Sequence, residues 1–153
     1  MIAVRAAISE QELAVIRPLV QAHIEYERSD AAMPADWEAR AWRLVVAGRL
    51  VILIALDGAD AVGYASVTTE VGTWTASSFA HLDCLFIAEG YRGAGVGRAL
   101  FDAVAAEARR QGHRDLQWQT PDWNSGAIRF YEAIGATSKD KKRFSFALAG
   151  SSA

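Results

Sequence analysis

Three strand-type runs follow one another through the middle of this chain, at residues 50–56, 61–70 and 79–87. The first is rich in β-branched residues and reads as a buried strand. A turn around Asp57-Gly58 separates it from the second, so these two are expected to form a hairpin. After the third run the pattern changes. A glycine-rich stretch, YRGAGVGRAL at 91–100, leads into a helix expected over 95–111. That helix carries Val96, Leu100, Val104 and Ala108 on one face and stops at Gly112. A short strand at 115–119, a helix at 125–134 stopped by Gly135, and a final strand at 143–148 complete the chain.

Before the three runs, residues 2–7 can form an opening strand. Ser9 and Glu12 fit a capping box that starts a helix. Pro18 lies inside that helix and is expected to kink or divide it, because proline lacks the N–H and crowds the preceding turn. Residues 25–36 read as a helix end and loop. A second helix runs from about 36 to 47, with Trp37, Ala41, Leu44 and Val45 at helical spacing and Gly48 closing it. The order is β-α-α-β-β-β-α-β-α-β. Antiparallel hairpins come first and a β-α-β crossover follows. The expected fold is therefore α/β in the α+β sense, a mixed and mostly antiparallel sheet flanked by helices, and not a fully alternating doubly wound fold.

The chain has 153 residues, enough for one compact domain spanning 1–150. Sixteen basic against 18 acidic residues leave a net charge of −2, which argues against nucleic acid or an anionic membrane as the main partner. Cys84 is the single cysteine, so no internal disulfide can form and a cytoplasmic setting is the default. The N-terminal apolar run is too short for a signal peptide. The most apolar stretch, 50–56, falls far short of the roughly 20 residues of a membrane span. The last residues, AGSSA, read as a frayed tail.

In Arg92-Gly93-Ala94-Gly95-Val96-Gly97 the glycines permit positive φ and let a ligand approach the backbone. Successive N–H groups can then converge on one anion at the positive end of the helix dipole. A tight strand-to-helix turn explains the same glycines without any ligand. A P-loop needs a lysine after the glycines, and none is present. A dinucleotide fold places such a loop after the first strand of an alternating sheet. Here it falls two-thirds of the way along, after three consecutive strands.

With its surroundings the loop resembles the GNAT superfamily of N-acetyltransferases. Arg92-x-x-Gly95-x-Gly97 is similar to that family's R/Q-x-x-G-x-G/A loop. The preceding LDCLFIAEGYRG resembles its fourth strand and lead-in, and WNSGAIRFYEAIGA, 123–136, resembles its later helix. Two positions depart from the family: Glu89 stands where a proline is usual, and Pro18 interrupts a helix that is often continuous. The resemblance implies acetyl-CoA as cofactor. It implies that the backbone of Leu85, Phe86 and Ile87 bonds the pantetheine arm where the fourth strand splays from the next. It assigns Arg92 and the amides of Gly93, Ala94, Gly95, Val96, Gly97 and Arg98 to the pyrophosphate, and Asn124 with Ala127 to the cofactor near the later helix. A homodimer is also implied.

The implied reaction is direct attack of a neutral amine on a thioester. An alkyl amine has a pKa of about 10.4, so deprotonating it at pH 7 costs roughly 4–5 kcal/mol. A general base, direct or through water, takes that proton. The resemblance makes Tyr131 the general acid, since its position matches the family's tyrosine, and a phenol of pKa about 10 can donate to a departing thiolate. An aromatic core residue is the alternative. Asp83 is the candidate base, a lone carboxylate in an apolar strand. Alternation, barring a bulge, places it on one face with Leu85 and Ile87. The segment is similar to the LEDFFV-type strand of diamine acetyltransferases, which has a glutamate there, and the shorter side chain favours a bridging water. A structural hydrogen bond is the other reading. His81 is a substrate-binding candidate or a satisfied structural histidine. Cys84 faces the other way as a small core residue. No cluster has metal-ligand spacing.

Glu25, Glu27, Asp30 and Asp36 make the loop after the first helix acidic. It can draw a cationic amine or simply be a solvated face. Trp74, before the fourth strand, is a candidate to overhang the acceptor. Residues 139–143, KDKKR, read as the exposed turn of a terminal hairpin. The favoured acceptor is a small-molecule primary amine, polyamine-like in character. A protein lysine or N-terminal amine, and a non-catalytic acyl-CoA sensor, are the alternatives.

Overall fold

A computed structural model describes residues 1–149, so residues 150–153 of the expected frayed tail lie outside the described residues. The chain divides into two compact units, Met1–Gln119 and Thr120–Ala153.

The first unit holds a five-stranded sheet in chain order: β1 (Ile2–Ala6), β2 (Val51–Asp57), β3 (Asp60–Gly72), β4 (Ser77–Ile87) and β5 (Leu116–Gln117). The first four strands pair antiparallel, and β5 joins β4 in parallel. The expected hairpin forms between β2 and β3, with Gly58 at φ +62°. Helices α1 (Glu10–Tyr26) and α2 (Trp37–Val46) cover one face, and α3 (Val96–Arg110) covers the other.

Strand alternation decides which residues meet which helix. Ile52 and Ile54 of β2 pack with Leu13 and Ile16 of α1 and Ala41 of α2. Their neighbours Leu53 and Ala55 pack with Val96, Leu100, Val104 and Ala108, the stripe expected on α3. Gly63 lets α3 come close: a Cβ there would stand 3.0 Å from the Phe86 carbonyl oxygen and 3.1 Å from Leu100 Cδ1.

Ser9 caps α1, its Oγ accepting from the Glu12 N–H at 3.4 Å, while Glu12 Oε2 accepts from the Ile8 N–H at 2.8 Å. The expected division at Pro18 does not occur, and α1 runs unbroken through it. Proline removes one bond to the previous turn, but the apolar face around it, from Leu13 and Ile16 to Leu19 and Val20, is packed into the core. Most helical stability in a protein comes from such packing.

In the second unit, α4 (Ser125–Ala133) is capped by Asn124, whose Oδ1 accepts from the Ala127 N–H at 3.5 Å. Gly135 at φ +94° ends it. The expected final strand at 143–148 is absent, and so is the terminal hairpin expected around 139–143. Phe144, Phe146 and Leu148 keep a strand's two-residue period yet stand 88%, 89% and 72% exposed. Alternation makes an apolar face, but a strand also needs a neighbour for its backbone groups. Among the described residues none is paired with this segment.

Candidate active site

The chain leaves β4 through a single 3₁₀ turn, Glu89–Tyr91, and enters α3 at Gly95. Gly93 and Gly95 adopt φ +79° and +85°, and a Cβ built on either meets nothing within 4 Å. These glycines serve backbone conformation and leave open space above the loop. No side chain caps α3. The amides of its first turn, Val96, Gly97 and Arg98, have no acceptor within the helix. An uncapped helix start at the positive dipole end, with open space before it, fits an anionic diphosphate.

Beside this loop, β4 is irregular. Ser66 pairs with Cys84 but Val67 pairs with Leu82, so Asp83 is an extra residue in β4. The bulge corrects the expected alternation. Leu82 and Leu85 both belong to the α3 side and Cys84 to the α1 side. Two residues three apart can share a face only if an extra one stands between them. Asp83 is therefore not aligned with Leu85 and Ile87. It is solvent-exposed, and its Oδ2 accepts from Cys84 Sγ at 3.7 Å. Pairing of β5 with β4 ends at His81–Gln117, so strand β4 splays from its neighbour just where the bulge begins.

Cys84 packs into the same cluster as Tyr64 and Phe86, on the α1 side of the sheet. Burial, reinforced by the Asp83 charge, pushes its thiol up to about 11. At pH 7 about one molecule in ten thousand then carries a thiolate, so Cys84 is a hydrogen-bond donor and not a nucleophile. Burial likewise raises the Tyr64 phenol far above its ordinary value, with Cys84 and Asp83 adding to the effect. Tyr64 OH lies 2.7 Å from His23 Nδ1, and His23 Nε2 lies 2.6 Å from Glu27 Oε2. The His23 ring stacks on Phe86 at 5.0 Å.

The acetyltransferase (GNAT) family matches residues 16–136, a span that includes the later part of α1, the bulged strand, the loop and α4. The chain belongs to the GNAT family. An L-ornithine N5-acetyltransferase of Arabidopsis thaliana is 41% identical over 56 residues, covering 37% of this chain and 25% of that enzyme. A thialysine N-epsilon-acetyltransferase of Bos taurus is 29% identical over 127 residues, covering 77% of this chain and 74% of the bovine protein. The chain thus spans a quarter of the plant relative and about three-quarters of the bovine one. An aminoglycoside N-acetyltransferase solved with CoA superposes with a TM-score of 0.80 at 20% identity, over 96% of this chain and 95% of that one. That likeness shows the GNAT fold.

Within this GNAT chain the expected site residues separate. Arg92 is held against β4 and α1: its Nε donates to the Ile87 carbonyl at 3.0 Å, and its guanidinium lies 4.7 Å from the Tyr26 ring centre and 5.3 Å from that of Phe86. One of the three backbone positions expected to meet pantetheine is thus already engaged. Arg98 pairs with Asp102 on the surface at 2.9 Å. Glu27 is engaged by His23, whereas Glu25 is exposed and accepts from Gln21 at 3.4 Å. His81 Nδ1 meets Thr68 Oγ1 at 3.4 Å. Trp74 sits at the β3–β4 turn, fully exposed.

In the second unit Asn124 is buried, and its Nδ2 donates to Thr120 Oγ1 at 3.3 Å. Tyr131 lies on α4 with its ring 5.5 Å from that of Phe130. His23 and Tyr64 were not singled out from sequence. The four-residue spacing of His23 and Glu27 was a legible signal, but 41 residues separate His23 from Tyr64.

Proposed function

We propose that this chain transfers an acetyl group from acetyl-CoA to a primary amine of a small molecule, with 1–150 acting as one catalytic domain. The observation that carries this reading is the uncapped start of α3, opened by Gly93 and Gly95, beside the splayed and bulged part of β4. The family match, which runs across both compact units, supports the single domain. The amides of Gly93 to Arg98 hold the diphosphate, and the free edge of β4 at Leu85 and Phe86 takes the pantetheine arm. Acetyl-CoA supplies the thioester.

Asp83 receives the proton that the ammonium loses, directly or through water. As the amine nitrogen bonds to the carbonyl carbon and the C–S bond breaks, Tyr131 protonates the departing sulfur. The exposed Asp83 carboxylate suits the first task, and the position of Tyr131 in the family motif supports the second. Asn124 and Ala127 are the proposed cofactor contacts at the start of α4. Glu25 and the carboxylates of the loop after α1 favour a cationic acceptor. The names of the plant and bovine relatives, with ornithine and thialysine as acceptors, point to the same class.

Release of CoA thiol over a panel of ornithine, thialysine, linear polyamines and lysine peptides is the test. Turnover is expected with the free diamines and not with peptides. Absence of turnover with every amine, despite acetyl-CoA binding, would leave a binding module instead.

No helix among the described residues is long and apolar enough to cross a membrane. The unpaired Cys84 thiol supports a cytoplasmic setting. A homodimer is the proposed assembly, favoured by the exposed stripe of Phe144, Phe146 and Leu148. Light scattering is expected to give twice the chain mass, falling to the monomer when Phe144 and Phe146 are both changed to serine. A parent that is already monomeric overturns the dimer.

A further inference from the structure

Arg92 stands between β4 and the glycines of the loop, and its side chain turns back toward the strand and α1. Its Nε donates to the Ile87 carbonyl at 3.0 Å, and its guanidinium carbon lies 4.7 Å from the Tyr26 ring centre and 5.3 Å from that of Phe86. Both distances fall within the roughly 6 Å reach of a cation over an aromatic ring. Tyr26 is the last residue of α1, and Phe86 is the penultimate residue of β4. The two rings are 6.1 Å apart and tilted by 58°, and Phe86 also stacks on His23 of α1 at 5.0 Å. One guanidinium thus joins the end of α1, the end of β4 and the start of the loop. Nothing in the proposed reaction uses Tyr26 or the Arg92 side chain.

The three residues that follow, Gly93, Ala94 and Gly95, are solvent-exposed, and both glycines have positive φ. Glycine has the most conformational freedom to lose, so ordering such a loop around a ligand subtracts from affinity unless it is already in shape. The chain just before the glycines has two side-chain ties. Tyr91 OH donates to Asp57 Oδ2 at 3.4 Å, a long contact, whereas Arg92 has a 3.0 Å bond and two rings. Direct capture of the diphosphate by the guanidinium is the competing use of the same side chain. The two uses differ in whether Tyr26 matters to the cofactor.

We propose that Arg92 is a positioning residue for the cofactor: seated on Tyr26 and Phe86 and bonded to the Ile87 carbonyl, it fixes the start of the loop, so that Gly93 to Arg98 meet acetyl-CoA already shaped for the diphosphate. This deepens the reading of the loop as a diphosphate site and rests on it. Only molecules with a competent loop bind, so the apparent Kd rises as their fraction falls. The loss then appears as slower association. A group that touches the ligand itself is lost mainly as faster release.

The test measures acetyl-CoA binding to the full chain, by calorimetry for affinity and by stopped flow for rates. The variants are Arg92→Ala, Tyr26→Leu, Tyr26→Phe, and Arg92→Ala combined with Tyr26→Leu. Arg92 is exposed and Tyr26 is 41% exposed, so these changes leave the buried core intact. Arg92→Ala is expected to weaken binding about tenfold and Tyr26→Leu about fivefold, each through slower association with release nearly unchanged. The combined variant is expected to be no weaker than Arg92→Ala alone, because the two residues act through one contact. Tyr26→Phe keeps the ring and is expected to bind like the parent. If Arg92→Ala weakens binding while Tyr26→Leu does not, or if release changes instead of association, the guanidinium acts on the diphosphate directly and the positioning role is wrong. Losses that simply add in the combined variant overturn it too. An Arg92→Ala variant with parental affinity also overturns it, and leaves the loop amides as the diphosphate site. A parent that does not bind acetyl-CoA removes the diphosphate reading, and this role with it. The rates for Arg92→Ala decide the matter alone if Tyr26→Leu fails to fold.

Discussion

Tyr131→Phe is expected to lower kcat by about two orders of magnitude, the scale of a lost general acid, while acetyl-CoA affinity stays within about a factor of two. The substitution removes one hydroxyl and keeps the ring, so the packing beside Phe130 is retained. The helix that presents it is ordered by the Asn124 cap and ended by Gly135, neither of which depends on the phenol. Removing a donor that acts as the C–S bond breaks affects kcat and kcat/KM together, because the interaction exists only in the transition state. Pre-steady-state release of the thiol, set beside calorimetric binding of acetyl-CoA, separates the two effects. A variant within threefold of the parent in kcat takes Tyr131 out of the proposed chemistry. A variant that no longer binds acetyl-CoA makes it a cofactor contact.

The second large effect concerns stability. Leu100→Ala is expected to destabilise the chain by about 3 kcal/mol, within the range for a fully buried leucine cut back to alanine. Leu100 has no exposed surface and lies in the middle of the stripe by which α3 packs on the sheet. Its Cδ1 occupies the space that the missing Cβ of Gly63 leaves open. The surrounding β3 and β4 backbone is hydrogen-bonded across the sheet, so the cavity cannot collapse freely. Urea unfolding reads the change, and a domain of this size loses roughly 10 °C in Tm for such a loss. A cost under about 1 kcal/mol would mean that α3 resettles onto the sheet, and acetyl-CoA affinity would then change because the loop moves with the helix start.

Much of this arrangement was legible from short-range pattern. The β2 and β3 runs, the capping box at Ser9, the α3 stripe and the glycines at positive φ are local properties of a few neighbouring residues. Local sterics, alternation and helical spacing determine such features, and long-range contacts need only accept them. The candidate site followed the same division. The loop was readable because a positive-φ turn into a helix start needs only backbone and glycine. The family motif pointed to Asp83 and Tyr131 as residues, without their surroundings.

What escaped the sequence shares one physical cause, competition between local preference and distant partners. Pro18 disfavours a helix locally, yet packing of the α1 face outweighs one lost hydrogen bond. Residues 143–148 have the period of a strand but no neighbour among the described residues, and period alone does not pair a backbone. Strict alternation of β4 fails at Asp83, because both Leu82 and Leu85 are drawn to the α3 core while Cys84 packs into the cluster on the opposite side. That bulge leaves Asp83 in solvent, while His23 meets Tyr64, 41 positions later in the chain. The order of elements from β1 to α4, the glycine turn into α3 and the family were therefore properties of the sequence by itself. The surroundings of the carboxylate were decided only when β3, β4 and α1 packed together, since no local rule says which buried hydroxyl will meet which ring nitrogen.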